Sequence, residues 1–261
     1  MNRRVLLGVA ILLMAAACGG GETPAPTSAP APQPPADQPT EPPAQEGYQG
    51  GTVSDGGTIS GTISHSGEVV GPIEVVVDKD NEVCGDTIET LQIVKNGAGG
   101  LQDAVVRITD ITSGKPLTEL GTEFILDQVD CIYAPSVLIV PVGSAMTVLN
   151  SDGILHNVHT TPFDNAPFNV AQPGTVPEIT SDPFTFPEEI PVSCDVHSWM
   201  NATVVAVDNP YAVLTGPDGS FTLTDVPAGT YTLKIWHPEL GSQTMEVTVE
   251  AGGTATLNVE Y

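Results

Sequence analysis

Positive charge is almost missing from this chain. Of 261 residues only 7 are Lys or Arg, against 32 Asp or Glu, which leaves a formal net charge of −25. Without a basic patch to neutralise phosphates, nucleic acid is not an expected partner. Aromatic residues are scarce as well, at 5%. There is no G-x-S-x-G elbow, no H-E-x-x-H pair and no phosphate-cradling glycine loop, so the common hydrolase and nucleotide-binding readings fail. The many carboxylates never take the D-x-D-x-D-G spacing of a calcium loop. No segment keeps a helical period, and no apolar run is long enough to cross a bilayer as a helix.

The longest apolar run, residues 5–14, follows Arg3 and Arg4 and precedes Ala15, Ala16, Ala17 and Cys18. That order is an export signal. Its end resembles a bacterial lipobox, which implies a signal peptide of residues 1–17 and a lipid on Cys18. The expected location is then the cell envelope, anchored to the membrane on its periplasmic or outer face. Residues 18–56 are dense in Pro, with Ala, Thr, Gln, Glu and Gly. Such a segment buries too little apolar surface to offset its ordering entropy, and reads as a disordered, semi-stiff tether.

Beyond the tether the pattern is β throughout. Gly57–Ser64 alternates as GTISGTIS, and short apolar runs recur at 73–77, 104–108, 136–140, 145–149, 154–160, 190–194 and 202–207. Between them stand turn residues such as Val142-Gly143-Ser144 and Ser151-Asp152-Gly153. Many short strands with Gly, Pro and Asp turns indicate an all-β chain of sandwich type. Residues 101–208 read as one module and 209–261 as a second; residues 57–100 are β and belong to either sheet or are shared between them. The connection 162–187 is proline-dotted and long, and connections of that length tend to be functional.

Four cysteines occur. With Cys18 lipidated, three remain, and in an oxidising compartment an odd number leaves one unpaired. Cys194 lies in Cys194-Asp195-Val196-His197-Ser198-Trp199-Met200, among imidazole and soft sulfur donors, whereas Cys84 and Cys131 have no such company. The expectation is a Cys84–Cys131 disulfide and a free Cys194. Its 47-position loop would stabilise the fold by roughly 4 kcal/mol if chain entropy dominates.

C-x2-H-x2-M on a loop between two β runs can bring Cys194, His197 and Met200 around one ion. The remaining donor must come from an earlier strand. Side chains alternate faces along a strand, so Ile154, His156 and Val158 share one side and Leu155, Asn157 and His159 the other. The first set reads as the buried face, which selects His156 as ligand and leaves His159 beside the site. Two His and one Cys with a weak axial Met form the donor set of blue-copper electron-transfer sites. A multicopper oxidase would need paired H-x-H motifs, and none occurs.

Together, the upstream His156-Asn157-Val158 and the downstream C-x2-H-x2-M resemble the cupredoxin family, of plastocyanin and amicyanin type. The resemblance spans roughly residues 121–208. It implies a Greek-key β-sandwich, one type 1 copper and electron transfer rather than enzymatic turnover. It also implies that Asn157 ties the ligand loop by hydrogen bonding. Trp199, between two of the ligands, either offers an electron-entry surface or caps the core. The tail, through TGPDGSFTLTDVPAGTYTLKIWH, resembles carboxypeptidase regulatory-like, transthyretin-like β-sandwich modules, as does the GTISGTIS strand. Such modules are mostly structural, and His237 within it reads as structural too.

The expected function is that of a membrane-tethered one-electron carrier. The acidic surface would steer a basic, cytochrome-like redox partner toward it. The alternative is a surface lipoprotein that stores or delivers copper, or binds structurally, without redox turnover.

Overall fold

The computed structural model describes residues 47–67, 73–90 and 99–261. The signal peptide, Cys18 and the expected tether up to residue 46 lie outside the described residues. Among the described residues the chain is nearly all β, with one short helix at Asn81–Cys84 and a 3-10 turn at Leu117–Leu120.

Two sandwiches form, each with its own core. In the first, a five-stranded sheet runs Asn169–Gln172, His156–Thr160, Glu188–Ser193, Asn201–Val207, Val137–Pro141. A four-stranded sheet runs Glu178–Thr180, Thr147–Asn150, Ile125–Val129, Ile132–Ala134. Leu126, Tyr133 and Val148 from the smaller sheet join Val158, Ile190, Val192 and Val204 from the larger one in a single buried cluster. Each fully buried Val, Leu or Ile contributes about 1.5–3 kcal/mol. Parallel pairing of Thr147–Asn150 with Ile125–Val129, and of Asn201–Val207 with Val137–Pro141, requires crossovers rather than hairpins. This is the expected Greek-key class of sandwich.

The second sandwich sets Ala212–Leu214, Val105–Ile108, Gly229–His237 and Gly241–Val249 against Ser220–Val226, Gly57–Ser64 and Thr254–Glu260. In Gly57–Ser64 the alternation places Ile59 and Ile63 in this core, both fully buried. Between them Gly61 lies against the parallel strand Thr254–Glu260, where a Cβ would collide with the Leu257 carbonyl oxygen.

Two expected boundaries move. Leu101, Ala104, Val106, Ile108 and Ile111 fall within the span expected for the first module but are buried in the second core. Residues 57–66 and 99–114 thus belong to a sandwich completed more than a hundred residues later. An apolar alternating strand fits either sheet equally well, so its pattern does not say which. The tether also ends before residue 56, because Gln49–Gly50 pairs in parallel with Ser113–Gly114 and Tyr48 packs on the second core.

The strand Asn201–Val207 shows why its sequence is almost wholly apolar. Ala202, Val204 and Ala206 face the first core, while Val205 and Val207 meet Val137, Val105 and Ala212 on the other side. Next to this seam Glu189 accepts from Arg107 at 2.7 Å and from Lys234 at 2.8 Å.

Residues 73–90 form a separate hairpin, with Ile73–Val76 antiparallel to Thr87–Thr90 and the helix Asn81–Cys84 in its connection. Val77, Cys84 and Ile88 are buried in the first core. The expected disulfide, Cys84–Cys131, pins the hairpin to that sandwich, with the Cα atoms 5.4 Å apart. Cys194 is the free, buried cysteine among the described residues.

Candidate metal centre

His156 opens an inner strand of the five-stranded sheet, and Cys194 directly follows the neighbouring strand Glu188–Ser193. The turn after Cys194 closes on itself. Cys194 N–H donates to the Met200 carbonyl at 3.2 Å, and Met200 N–H donates to the His197 carbonyl at 3.1 Å. His197 N–H points at Cys194 Sγ, 3.4 Å away. This folding back brings the i and i+3 donors to one point. Nδ1 of His156 and Nδ1 of His197 stand 3.0 Å apart, and Cys194 Sγ lies 3.9 Å from His197 Nδ1. All three donor atoms lie within 4.8 Å of one another. His156, His197 and Met200 are fully buried and Cys194 nearly so.

Bonds of about 2.0–2.1 Å to nitrogen and 2.3 Å to sulfur limit two donors on one ion to separations of roughly 4.2–4.4 Å. The two separations measured from His197 Nδ1, 3.0 Å and 3.9 Å, fall within that limit. Met200 shares the same buried cluster as Cys194 and Trp199. A second convergence, of Cys131, Asp152 and His156, offers no thiolate because Cys131 is disulfide-bonded.

Proton positions argue for a cation. His156 Nε2 faces Asp152 Oδ2 at 2.8 Å, and His197 Nε2 faces Asp80 Oδ2 at 3.0 Å. A carboxylate is an acceptor when ionised, so its place beside each Nε2 favours the tautomer with the proton there. In a neutral ring, Nδ1 is then a lone pair. Two such lone pairs confront each other across 3.0 Å in a pocket sealed from water. Burial holds the His156 pKa below its ordinary value, which disfavours a second proton on that ring. A metal ion would satisfy both rings and the sulfur at once. Carboxylates behind both rings are also what a carboxylate–histidine–metal arrangement uses to fix tautomer and ring orientation.

Of the remaining predicted residues, Asn157 and Trp199 lie beside this point. Asn157 Oδ1 accepts from Asp195 N–H at 3.1 Å, immediately after Cys194, and its Nδ2 donates to Asn169 Oδ1 at 2.9 Å. His159 points away, on the other face of its strand, where its Nδ1 pairs with Asp195 Oδ1 at 2.9 Å. Trp199 is 6% exposed and therefore caps the core rather than offering a surface. Its indole N–H donates to the Cys131 carbonyl at 2.9 Å, and its ring centroid lies 5.1 Å from that of His197. His237 is buried in the second sandwich, where its Nδ1 accepts from Glu239 N–H at 3.2 Å.

Three contributors escape a reading of the sequence. Asp152 sits four residues before His156 and reads as an ordinary turn residue; the i, i+4 spacing to a ligand is its only signal. Asp80 is 117 positions from His197, with no local mark beyond its nearness to Cys84. The Tyr133 hydroxyl lies between the carbonyls of Asn157 and Ser193 and shares its one proton between them, tying the strand of His156 to the end of the strand that leads into Cys194. Burial, reinforced by Cys194, pushes its phenol far above the ordinary range, so it stays a donor.

Among solved structures, the chain is similar to an oxidised point variant of amicyanin, at 22% identity over 33% of this chain and 84% of that one, TM-score 0.29. A purple cupredoxin from Nitrosopumilus maritimus matches at 21% over 33% of this chain and 99% of that one, TM-score 0.28. A copper-containing nitrite reductase from Thermus scotoductus matches at 21% over 45% of this chain but only 26% of the reductase, TM-score 0.31. No curated protein matches the chain. The family model of the carboxypeptidase regulatory-like domain matches residues 198–261, a span that begins inside the Cys194–Met200 turn and runs through the C-terminal strands of the second sandwich.

Proposed function

We propose that this is a mononuclear type 1 copper protein that carries single electrons at a membrane. One observation carries the reading. Two imidazole Nδ1 atoms and a cysteine sulfur turn toward a common buried point while both Nε2 atoms are tied to carboxylates. Thiolate and thioether suit Cu(I), imidazole serves both oxidation states, and zinc sites rarely use a thioether. A bound copper ion supplies a one-electron couple.

The chain's own residues prepare the site for it. His156 is held by its strand and by Asp152, and Cys194 by its backbone bond to Met200 and the Asn157–Asp195 link. Donors fixed in this way move little when charge changes. Burial of both histidines keeps water away, and Cys194 would bind a metal as the thiolate. The export signal ending at Cys18 supports a lipid anchor in the cell envelope. The net charge of −25 supports a partner with a basic, cytochrome-like surface.

The test is a Cu(II) titration of the purified protein. An intense blue thiolate-to-copper charge-transfer band should saturate at one equivalent, and Cys194→Ser should abolish it. A blue Cys194→Ser protein would refute the assignment. Reversible one-electron voltammetry supports the carrier; tight Cu(I) binding without a reversible couple would replace it with copper storage or delivery.

A further inference from the structure

The two proposed histidine ligands are supported in different ways. Asp152 reaches His156 from the adjoining turn and is itself fixed by the Cys131 N–H, which donates to Asp152 Oδ2 at 3.0 Å. Asp80 reaches His197 from the hairpin Ile73–Thr90, which shares no sheet with the metal-site strands. Asp80 stands at φ 54°, just before the helix Asn81–Cys84. Three attachments hold it there. Lys79 Nζ donates to the Val196 carbonyl at 3.0 Å, Val77 and Ile88 enter the first core, and Cys84 is bonded to Cys131. Cys131 is therefore a junction. Its sulfur pins the hairpin, its carbonyl accepts from Trp199, and its N–H orients Asp152.

We propose that Asp80 is a positioning residue for His197, held in register by the Cys84–Cys131 bridge, and that this disulfide-pinned cap sets how tightly Cu(II) is retained. The proposal rests on the copper reading above. A carboxylate accepting from Nε2–H directs the Nδ1 lone pair inward and raises the basicity of the ring, which favours the more charged oxidation state of the metal. Removing it should weaken Cu(II) more than Cu(I).

The full chain is compared with Asp80→Ala, Asp80→Asn and the double variant Cys84→Ser/Cys131→Ser. In copper-free protein, imidazole 15N shifts should report His197 as the Nε2-protonated tautomer. Asp80→Asn should keep that tautomer through its amide oxygen, whereas Asp80→Ala should give a mixture. Cu(II) affinity should fall about 10- to 100-fold in Asp80→Ala. If Cu(I) affinity is unchanged, each tenfold loss raises the potential by about 59 mV. The serine pair should lose a comparable factor, and adding Asp80→Ala to it should change little more. Asp80 is half-exposed on its side chain, so its variants leave the core intact even if the serine pair folds poorly. An unchanged His197 tautomer together with Cu(II) affinity within about twofold in Asp80→Ala would overturn the proposal, since a lost supporting carboxylate costs tenfold or more. Wild-type protein that takes up no copper would sink the copper reading instead, and the tautomer comparison would still decide the role of Asp80.

Discussion

Asn157→Ala isolates what holds the cysteine end of the site. The side chain is 5% exposed and makes two hydrogen bonds of unequal consequence. Its Oδ1 is the acceptor for Asp195 N–H, directly after Cys194, while its Nδ2 donates to Asn169 on a more exposed strand. Loss of the second bond is repaired by water and should cost under about 0.5 kcal/mol. Loss of the first leaves a part-buried N–H without its partner, which costs about 1–3 kcal/mol. Urea unfolding of the copper-free protein should therefore show Asn157→Ala less stable than wild type by about 1–3 kcal/mol. The deficit falls on the residue beside Cys194, so the copper-loaded variant should also release its metal faster to a chelator. A stability within about 0.5 kcal/mol of wild type, with an unchanged release rate, would refute the claim that Asn157 holds the turn at Cys194.

Gly61→Ala should destabilise the second sandwich by at least about 3 kcal/mol, because the new Cβ would run into the Leu257 carbonyl oxygen and force the parallel strands apart; thermal unfolding reads it. If Met200 is the weak thioether donor of the proposed copper site, Met200→Leu should keep the blue band, carried by His156, Cys194 and His197, but raise the reduction potential; cyclic voltammetry measures the shift. His237 carries a pH dependence of its own. Burial, helped by the nearby His65, lowers its pKa to about 4 from an ordinary 6.5. The unfolded chain therefore binds the proton first, and stability falls as pH drops from 6.5 toward 4, then no further from this group. After solvent screening the loss is roughly 2 kcal/mol. Comparing wild type with His237→Gln cancels the many carboxylates, and the difference in urea stability between about pH 7 and pH 4.5 should shrink by about that amount.

Local chemistry in the chain makes much of the site legible. Strand parity separates His156 from His159, because a half-buried strand leaves one face per side chain. The company of Cys194 separates it from Cys84 and Cys131, because donors three residues apart on a tight turn converge. Residues 101–111 read into the wrong sandwich for an equally physical reason: an apolar β run carries its face but not its partner. Asp80 is invisible in the sequence because it lies 117 positions from His197 and meets it only where the folded hairpin packs on the sandwich. Trp199 stands undecided between surface and core until the Cys131 carbonyl is seen to take its N–H.

The most direct test of the ligand set is X-ray absorption at the copper edge of the loaded protein. Two imidazole nitrogens and one short-bonded sulfur should make up the strong inner shell, and the sulfur contribution should disappear in Cys194→Ser. A wild-type spectrum of nitrogen and oxygen scatterers alone would contradict the assignment of His156, Cys194 and His197 as the metal's donors.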